Sequence, residues 1–203
     1  MIHALPGMGA NHRMYPEPWG MLPGFKAHDW VMTPGINSVR QLAGVMIEAC
    51  AIADGDVLVG ASLGGIVAGE ITKLRKISQL FLVGSATKPS EVNPMLARLP
   101  SLVGMLPMEW LRISAGKMPG ELAAMFAQAE PAFIRNMCQA IPQWEGLGRT
   151  DTPVFRIHGR KDLVIPAPPD ADLLLGGGHL IAMTHARECV GFVKKNLRSV
   201  SRR

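Results

Sequence analysis

Apolar residues in this chain follow two rhythms, and the alternation between them predicts the fold. Short apolar runs read as strands, and longer stretches with apolar positions three and four apart read as helices. Met1 to Leu5 is a short strand, followed by a loop and helix over about 11–22 and a second strand near 26–32. Asn37 or Ser38 then caps a helix in which Val39, Leu42, Met46 and Cys50 keep helical spacing. A strand and its helix fill 56–75, and Leu80-Phe81-Leu82-Val83 is a further buried strand. Strands near 153–158 and 171–175 follow. The last helix begins after Thr184 and places Ala186, Cys189, Val190, Val193 and Leu197 on one face. Strands alternating with helices predict an α/β protein: a mostly parallel sheet of about six strands with helices on both faces.

Residues 88–150 break this rhythm. Pro89, Pro94, Pro100, Pro107, Pro119, Pro131 and Pro142 cut the segment into short helical pieces dense in Leu and Met. It reads as a helical insertion between the fourth and fifth strands of one domain spanning 1–203.

Composition narrows the function classes. With 203 residues, 48% hydrophobic and 18% charged, the chain suits a single globular α/β domain with a substantial core. The net charge of +5 is modest and partly gathered at the end, in Lys194, Lys195, Arg198, Arg202 and Arg203. A solvated basic helix end accounts for it, and no nucleic-acid partner is expected. Cys50, Cys138 and Cys189 are an odd, widely spaced set, which argues for a reducing compartment and a cytoplasmic location. Cys50 and Cys189 fall on apolar helix stripes and read as small core residues. No charged leader precedes an apolar segment, and no apolar stretch approaches a membrane span, so no stable membrane insertion is expected.

The chemistry concentrates at Gly60-Ala61-Ser62-Leu63-Gly64. A strand-like run leads in and a helix-like run leads out, which is the setting in which G-x-S-x-G becomes a nucleophile elbow. Serine is a weak nucleophile and needs a base, and the base needs an orienting acid. Asp162 lies on a loop just past the strand ending in His158-Gly159, and His179 follows Gly176-Gly177-Gly178 after the last short apolar run. Ser62, Asp162 and His179 each come just after a strand, so a parallel sheet brings them to one edge. Asp170 and Asp172 are rival acids. His158 reads as packing or bonding locally and His185 as near the surface, while His3, His12 and His28 show no acid partner in sequence.

With these motifs the chain resembles the α/β-hydrolase fold superfamily. The order serine, acid, histidine matches; "IHGRKDLVIP" resembles the acid loop, "GGGHL" the histidine loop and "LPGMGAN" the first-strand loop usually written H-G-x-G. The resemblance implies oxyanion donors at the backbone N–H groups of Met8 and Leu63. Pro6 replaces the histidine of the H-G-x-G phrase, which a backbone donor tolerates. The interval between Asp162 and His179 is short and interrupted by Ala167-Pro168-Pro169-Asp170, so the helix usual there is expected to be reduced or missing. The first two strands of the full family sheet are expected to be absent, giving a minimal version. The 88–150 segment stands where family members carry a lid. Met105, Met108 and Trp110 are candidates for a pocket wall, with packing of the lid on the core as the alternative. The implied activity is a serine hydrolase acting through an acyl-enzyme on a small-molecule carboxylic ester or thioester with an apolar acyl group, with no cofactor or metal. A serine nucleophile argues against the aspartate-using dehalogenase branch. A cofactor-free perhydrolase or lyase on the same fold, and a non-catalytic binding protein, remain as alternatives.

Overall fold

A computed structural model describes residues 1–93 and 119–197. Six strands, β1 (Ile2–Leu5), β2 (Phe25–Ala27), β3 (Val57–Ala61), β4 (Gln79–Val83), β5 (Val154–Gly159) and β6 (Leu173–Leu175), pair in the order β2-β1-β3-β4-β5-β6. Every pairing is parallel. The order reverses at β1, which pairs with β2 on one side and β3 on the other. The carboxyl ends of β1 and β3 therefore flank a switch point, the place where open parallel sheets bind their ligands.

Side chains alternate across the sheet as the strand period requires. Leu5, Leu58, Leu80 and Leu82 face a core shared with helices α1 (Val39–Cys50) and α2 (Leu63–Ile71). Val57, Val59, Phe81, Val83 and Ile157 face the opposite core, with Met14, Trp19 and the carboxyl-terminal helices. Ser38 caps α1, its side chain accepting from Gln41 N–H at 3.2 Å. The inserted segment contributes α3 (Pro119–Ala127) and α4 (Pro131–Ala140). Phe133 and Met137 of α4 join the first core. The chain closes with α5 (Ile181–Thr184) and α6 (Ala186–Asn196). Met105, Met108, Trp110 and most of the expected lid lie outside the described residues. Among the described residues no helix is long and apolar enough to cross a membrane.

Two local expectations change. The helix expected over 11–22 is two 3-10 turns, His12–Met14 and Trp19–Met21. Pro16 and Pro18 deny it the internal N–H groups a continuous helix needs. The second strand is Phe25–Ala27 and not 26–32, its three residues pairing with Ile2, His3 and Ala4 of β1. The terminal helix begins after Thr184 as expected, with the short α5 ahead of it. No helix occurs between Asp162 and His179, in line with the broken sequence there.

Helix α2 is buried on every side, and its one acidic residue is fully engaged. Glu70 meets Lys73 Nζ at 2.8 Å and Arg40 at 3.1 Å, and accepts Trp144 Nε1–H at 3.0 Å. Burial pushes its carboxyl up, but these donors outweigh burial and hold it below the ordinary value.

A second buried polar chain runs across β1, from just past β2 to just before β3. His28 Nε2 and His3 Nδ1 are 2.9 Å apart, and His3 Nε2 is 3.2 Å from Asp56 Oδ2. Two neutral rings satisfy this geometry, His28 Nε2–H donating to His3 Nδ1 and His3 Nε2–H donating to Asp56. So His3 and His12, which shows a 2.8 Å pair with Asp29, have acid partners that local sequence did not reveal. Burial, then His3 and Lys26, push His28 down to about 4, and burial outweighs Asp56 to lower His3. A histidine whose pKa falls on folding takes up protons more readily when unfolded. Its contribution to stability is complete above about 6.5 and is lost as pH drops toward the folded value. Thermal melts are expected to fall steadily from pH 6.5 to 5, and His28→Leu is expected to make that slope shallower. A variant with the wild-type slope would contradict the assignment.

Candidate active site

The sequence Gly60-Ala61-Ser62-Leu63-Gly64-Gly65 turns from β3 into α2 within a single residue. Ser62 takes φ 52° and ψ −121°, a backbone state that side chains seldom adopt. The turn closes only because its flanks lack side chains. A Cβ on Gly60 would collide with Gly65, and one on Gly64 with the carbonyl of Leu5 at the end of β1. From just past the end of β4, buried Ser85 donates its hydroxyl to Ser62 O at 2.7 Å.

Three loops converge on the Ser62 hydroxyl. Ser62 Oγ is 2.9 Å from His179 Nε2, and His179 Nδ1 is 2.8 Å from Asp162 Oδ2. The other oxygen of Asp162 accepts the N–H groups of Val164 and Ile165, each at 2.9 Å. The Asp162 side chain is wholly buried and that of His179 is 10% exposed. With both Asp162 oxygens committed, Nδ1 of His179 carries the proton and Nε2 is left as the acceptor facing the serine.

The rival acids are engaged elsewhere. Asp172 Oδ2 accepts the backbone N–H of Arg156 at 2.7 Å, and Asp170 meets the Arg156 guanidinium at 3.1 Å. Arg156 also pairs with Glu91 at 2.7 Å. Among the other histidines, His185 Nδ1 lies 2.9 Å from Thr184 Oγ1. His158 is fully buried without a hydrogen-bond partner for either ring nitrogen. Burial and then Arg156 push it down to about 4, so it is a neutral ring behind Asp162.

The loop after β1 stands beside the elbow. A Cβ on Gly7 would lie 3.4 Å from Ser62 Cβ. Among the described residues, the N–H groups of Met8 and Leu63 donate to no backbone carbonyl. Several supporting residues carry no local sequence signal. Tyr15, the chain's single tyrosine, donates its hydroxyl to Leu5 O and accepts Ala61 N–H at 3.0 Å, joining the ends of β1 and β3. Trp30 Nε1 donates to Gly7 O at 2.9 Å, and Met14 Sδ accepts Gly7 N–H at 3.1 Å. An aromatic or thioether within a loop has no period to reveal it, and Ser85 resembles any strand-end serine.

The described residues contain no group of three His, Cys, Asp or Glu side chains arranged to hold a metal ion. What the arrangement offers is a hydroxyl, an imidazole and a buried carboxyl in line, beside the loop after β1.

Comparison with known proteins agrees with this architecture. The model of the Alpha/beta hydrolase family matches residues 2–192, and the chain belongs to that family. Sequence comparison with curated proteins finds no match. Solved structures share the fold at low identity. An esterase from Exiguobacterium antarcticum superposes with a TM-score of 0.78 at 16% identity, covering 96% of this chain and 90% of that one. A thermophilic esterase from Thermogutta terrifontis gives 0.75 at 15%, covering 96% and 88%. A hydrolase from Oleispira antarctica gives 0.75 at 17%, covering 96% and 91%.

Gly84, at the end of β4, passes directly against the histidine and the acid. Its φ is +54°, and a Cβ there would sit 3.0 Å from His179 O and 3.4 Å from Asp162 Oδ2. Gly84→Ala is expected to cost about 1–2 kcal/mol from the left-handed backbone alone. The methyl would also press on the loop that carries His179. Thermal melts check the first effect, and an unchanged melting temperature would contradict it.

Proposed function

We propose that the protein is a serine hydrolase that cleaves carboxylic esters or thioesters of small molecules through an acyl-enzyme. The observation that carries this reading is the unbroken chain of contacts from Ser62 Oγ through His179 to Asp162, at 2.9 and 2.8 Å. Membership of the Alpha/beta hydrolase family and the esterases among its structural neighbours support it.

In this mechanism His179 Nε2 takes the proton as Ser62 Oγ attacks the substrate carbonyl carbon. Asp162 holds the imidazole tautomer and stabilises the imidazolium that forms. The carbonyl oxygen becomes an oxyanion and receives the backbone N–H groups of Met8 and Leu63. Leu63 adds the positive end of the buried helix α2. Collapse of this intermediate breaks the bond to the leaving alcohol or thiol, which takes the proton from His179. Water then repeats the attack on the acyl-enzyme, with His179 again as base, and releases the acid and free Ser62. The strained Ser62 backbone serves this chemistry by projecting Oγ away from the helix it begins.

A fluorophosphonate is expected to label Ser62, and Ser62→Ala should abolish both labelling and nitrophenyl-ester turnover. A label mapped to another serine sinks the reading, and absence of labelling with no turnover favours a binding protein instead. Asp162→Asn should lower kcat by about three to four orders of magnitude, from loss of the required tautomer, with the fold retained. Asp170→Asn and Asp172→Asn should cost less than about tenfold, because neither would hold the imidazole. A crippling effect of Asp172→Asn would reassign the acid.

The acyl specificity follows from the Met- and Leu-rich segment 88–150. Each buried methylene should add up to about 0.8 kcal/mol until the pocket is full. The ratio kcat/KM is therefore expected to rise from acetyl to medium acyl esters and then fall. A flat profile, or a preference for acetyl or anionic acyl groups, would show that this segment packs the core without lining the acyl site.

A further inference from the structure

We propose that Trp30 is a positioning residue for the oxyanion hole, aiming the Met8 N–H through the carbonyl of the same peptide unit. The inference rests on the serine-hydrolase reading above and extends it to a residue in the loop after β2. In a trans peptide the C=O of one residue and the N–H of the next point in opposite directions in one plane. Fixing the Gly7 carbonyl therefore fixes the direction of the Met8 N–H. That carbonyl accepts Trp30 Nε1–H at 2.9 Å and Ala10 N–H at 3.1 Å. The Gly7 N–H is held in turn by Met14 Sδ at 3.1 Å.

Of these contacts, Ala10 belongs to the loop's own turn and moves with it. Trp30 comes from another part of the chain and ties the loop to the body of the protein. Its indole is 7% exposed and rests against Phe133 of α4, with ring centroids 5.6 Å apart. Beside it, Cys138 of the same helix contacts Met8 Sδ at 3.7 Å. A cleft of about 190 Å³ runs along this junction, lined by Gly9, Ala10, Trp30, Met32, Met125 and Phe133 among others. The indole thus has one edge on the oxyanion loop and one face on the inserted helix. A donor set on a rigid support stabilises developing charge better than one that must reorient during reaction.

Both acylation and deacylation pass through an oxyanion, so the effect should appear in kcat whichever step is slower. Trp30→Phe keeps an aromatic face for Phe133 and removes only the indole N–H and part of the ring. With a medium-chain nitrophenyl ester, kcat is expected to fall about five- to tenfold, the scale of one neutral hydrogen bond, with KM within about twofold. The rate of labelling by a fluorophosphonate should fall in parallel, because phosphonylation also builds negative oxygen. The pH midpoint of kcat should stay where His179 sets it, which separates this role from a disturbed base.

A folded Trp30→Phe with unchanged kcat overturns the proposal, as does a rise in KM at constant kcat, which would make Trp30 a substrate contact. If Trp30→Phe fails to fold, exchange of the Trp30 indole proton in the wild-type protein decides. Strong protection, together with a large shift of the Met8 amide resonance on forming a boronic-acid adduct at Ser62, supports the proposal. Exchange as fast as that of an exposed indole overturns it. A Ser62→Ala protein that still hydrolyses the ester removes the serine-hydrolase reading, and this inference with it. Loss of activity in Ser62→Ala beside a normal Trp30→Phe removes only the role of Trp30.

Discussion

Backbone packed directly on backbone at residues 60–65 is the constraint on which the site depends. Helix α2 starts so close to β1 that the Leu5 carbonyl occupies the space a Gly64 side chain would need. Gly60 and Gly65 touch in the same way across the turn. The contact forces Ser62 into its unusual φ and brings the loop after β1 beside it. Any larger residue at these glycines would part the strand end from the helix start.

Buried carboxyl groups obey a companion rule: they are met by donors on several sides. Asp162 is held by two backbone N–H groups and an imidazole, and Glu70 by a lysine, an arginine and an indole. The donors around Glu70 hold its carboxyl below the ordinary value despite burial. The satisfaction of Asp162 matters for geometry as much as for charge, because it leaves His179 a single orientation. His158 is a buried ring with neither nitrogen engaged, kept neutral by burial and by Arg156 despite the nearby Asp162 and Glu91.

The sheet was legible because its strands are short apolar runs in regular alternation with helical periods. The meeting of Ser62, Asp162 and His179 was legible for the same reason, since each follows a strand and parallel strands share an edge. Broken periodicity hid the rest. Pro16 and Pro18 turned an expected helix into 3-10 turns whose side chains, Met14, Tyr15 and Trp19, pack inward where no pattern announced them. The pairing of His3 with Asp56 and His28 depends on β1, β2 and β3 lying side by side, which only the folded sheet supplies. Trp30 was hidden likewise, since its partner Gly7 lies beyond any local window.

Tyr15 gives the molecule an optical consequence. Its hydroxyl fills the gap where β1 and β3 part, bonded to both strands, and burial raises its ionisation well above the ordinary tyrosine range. As the single tyrosine of the chain, it is the only residue able to produce a tyrosinate absorbance. In alkaline solution that absorbance should stay dark while the strands remain joined. Its onset marks their separation, so the ultraviolet spectrum reads the integrity of the junction that sets Ser62 and the loop after β1 side by side.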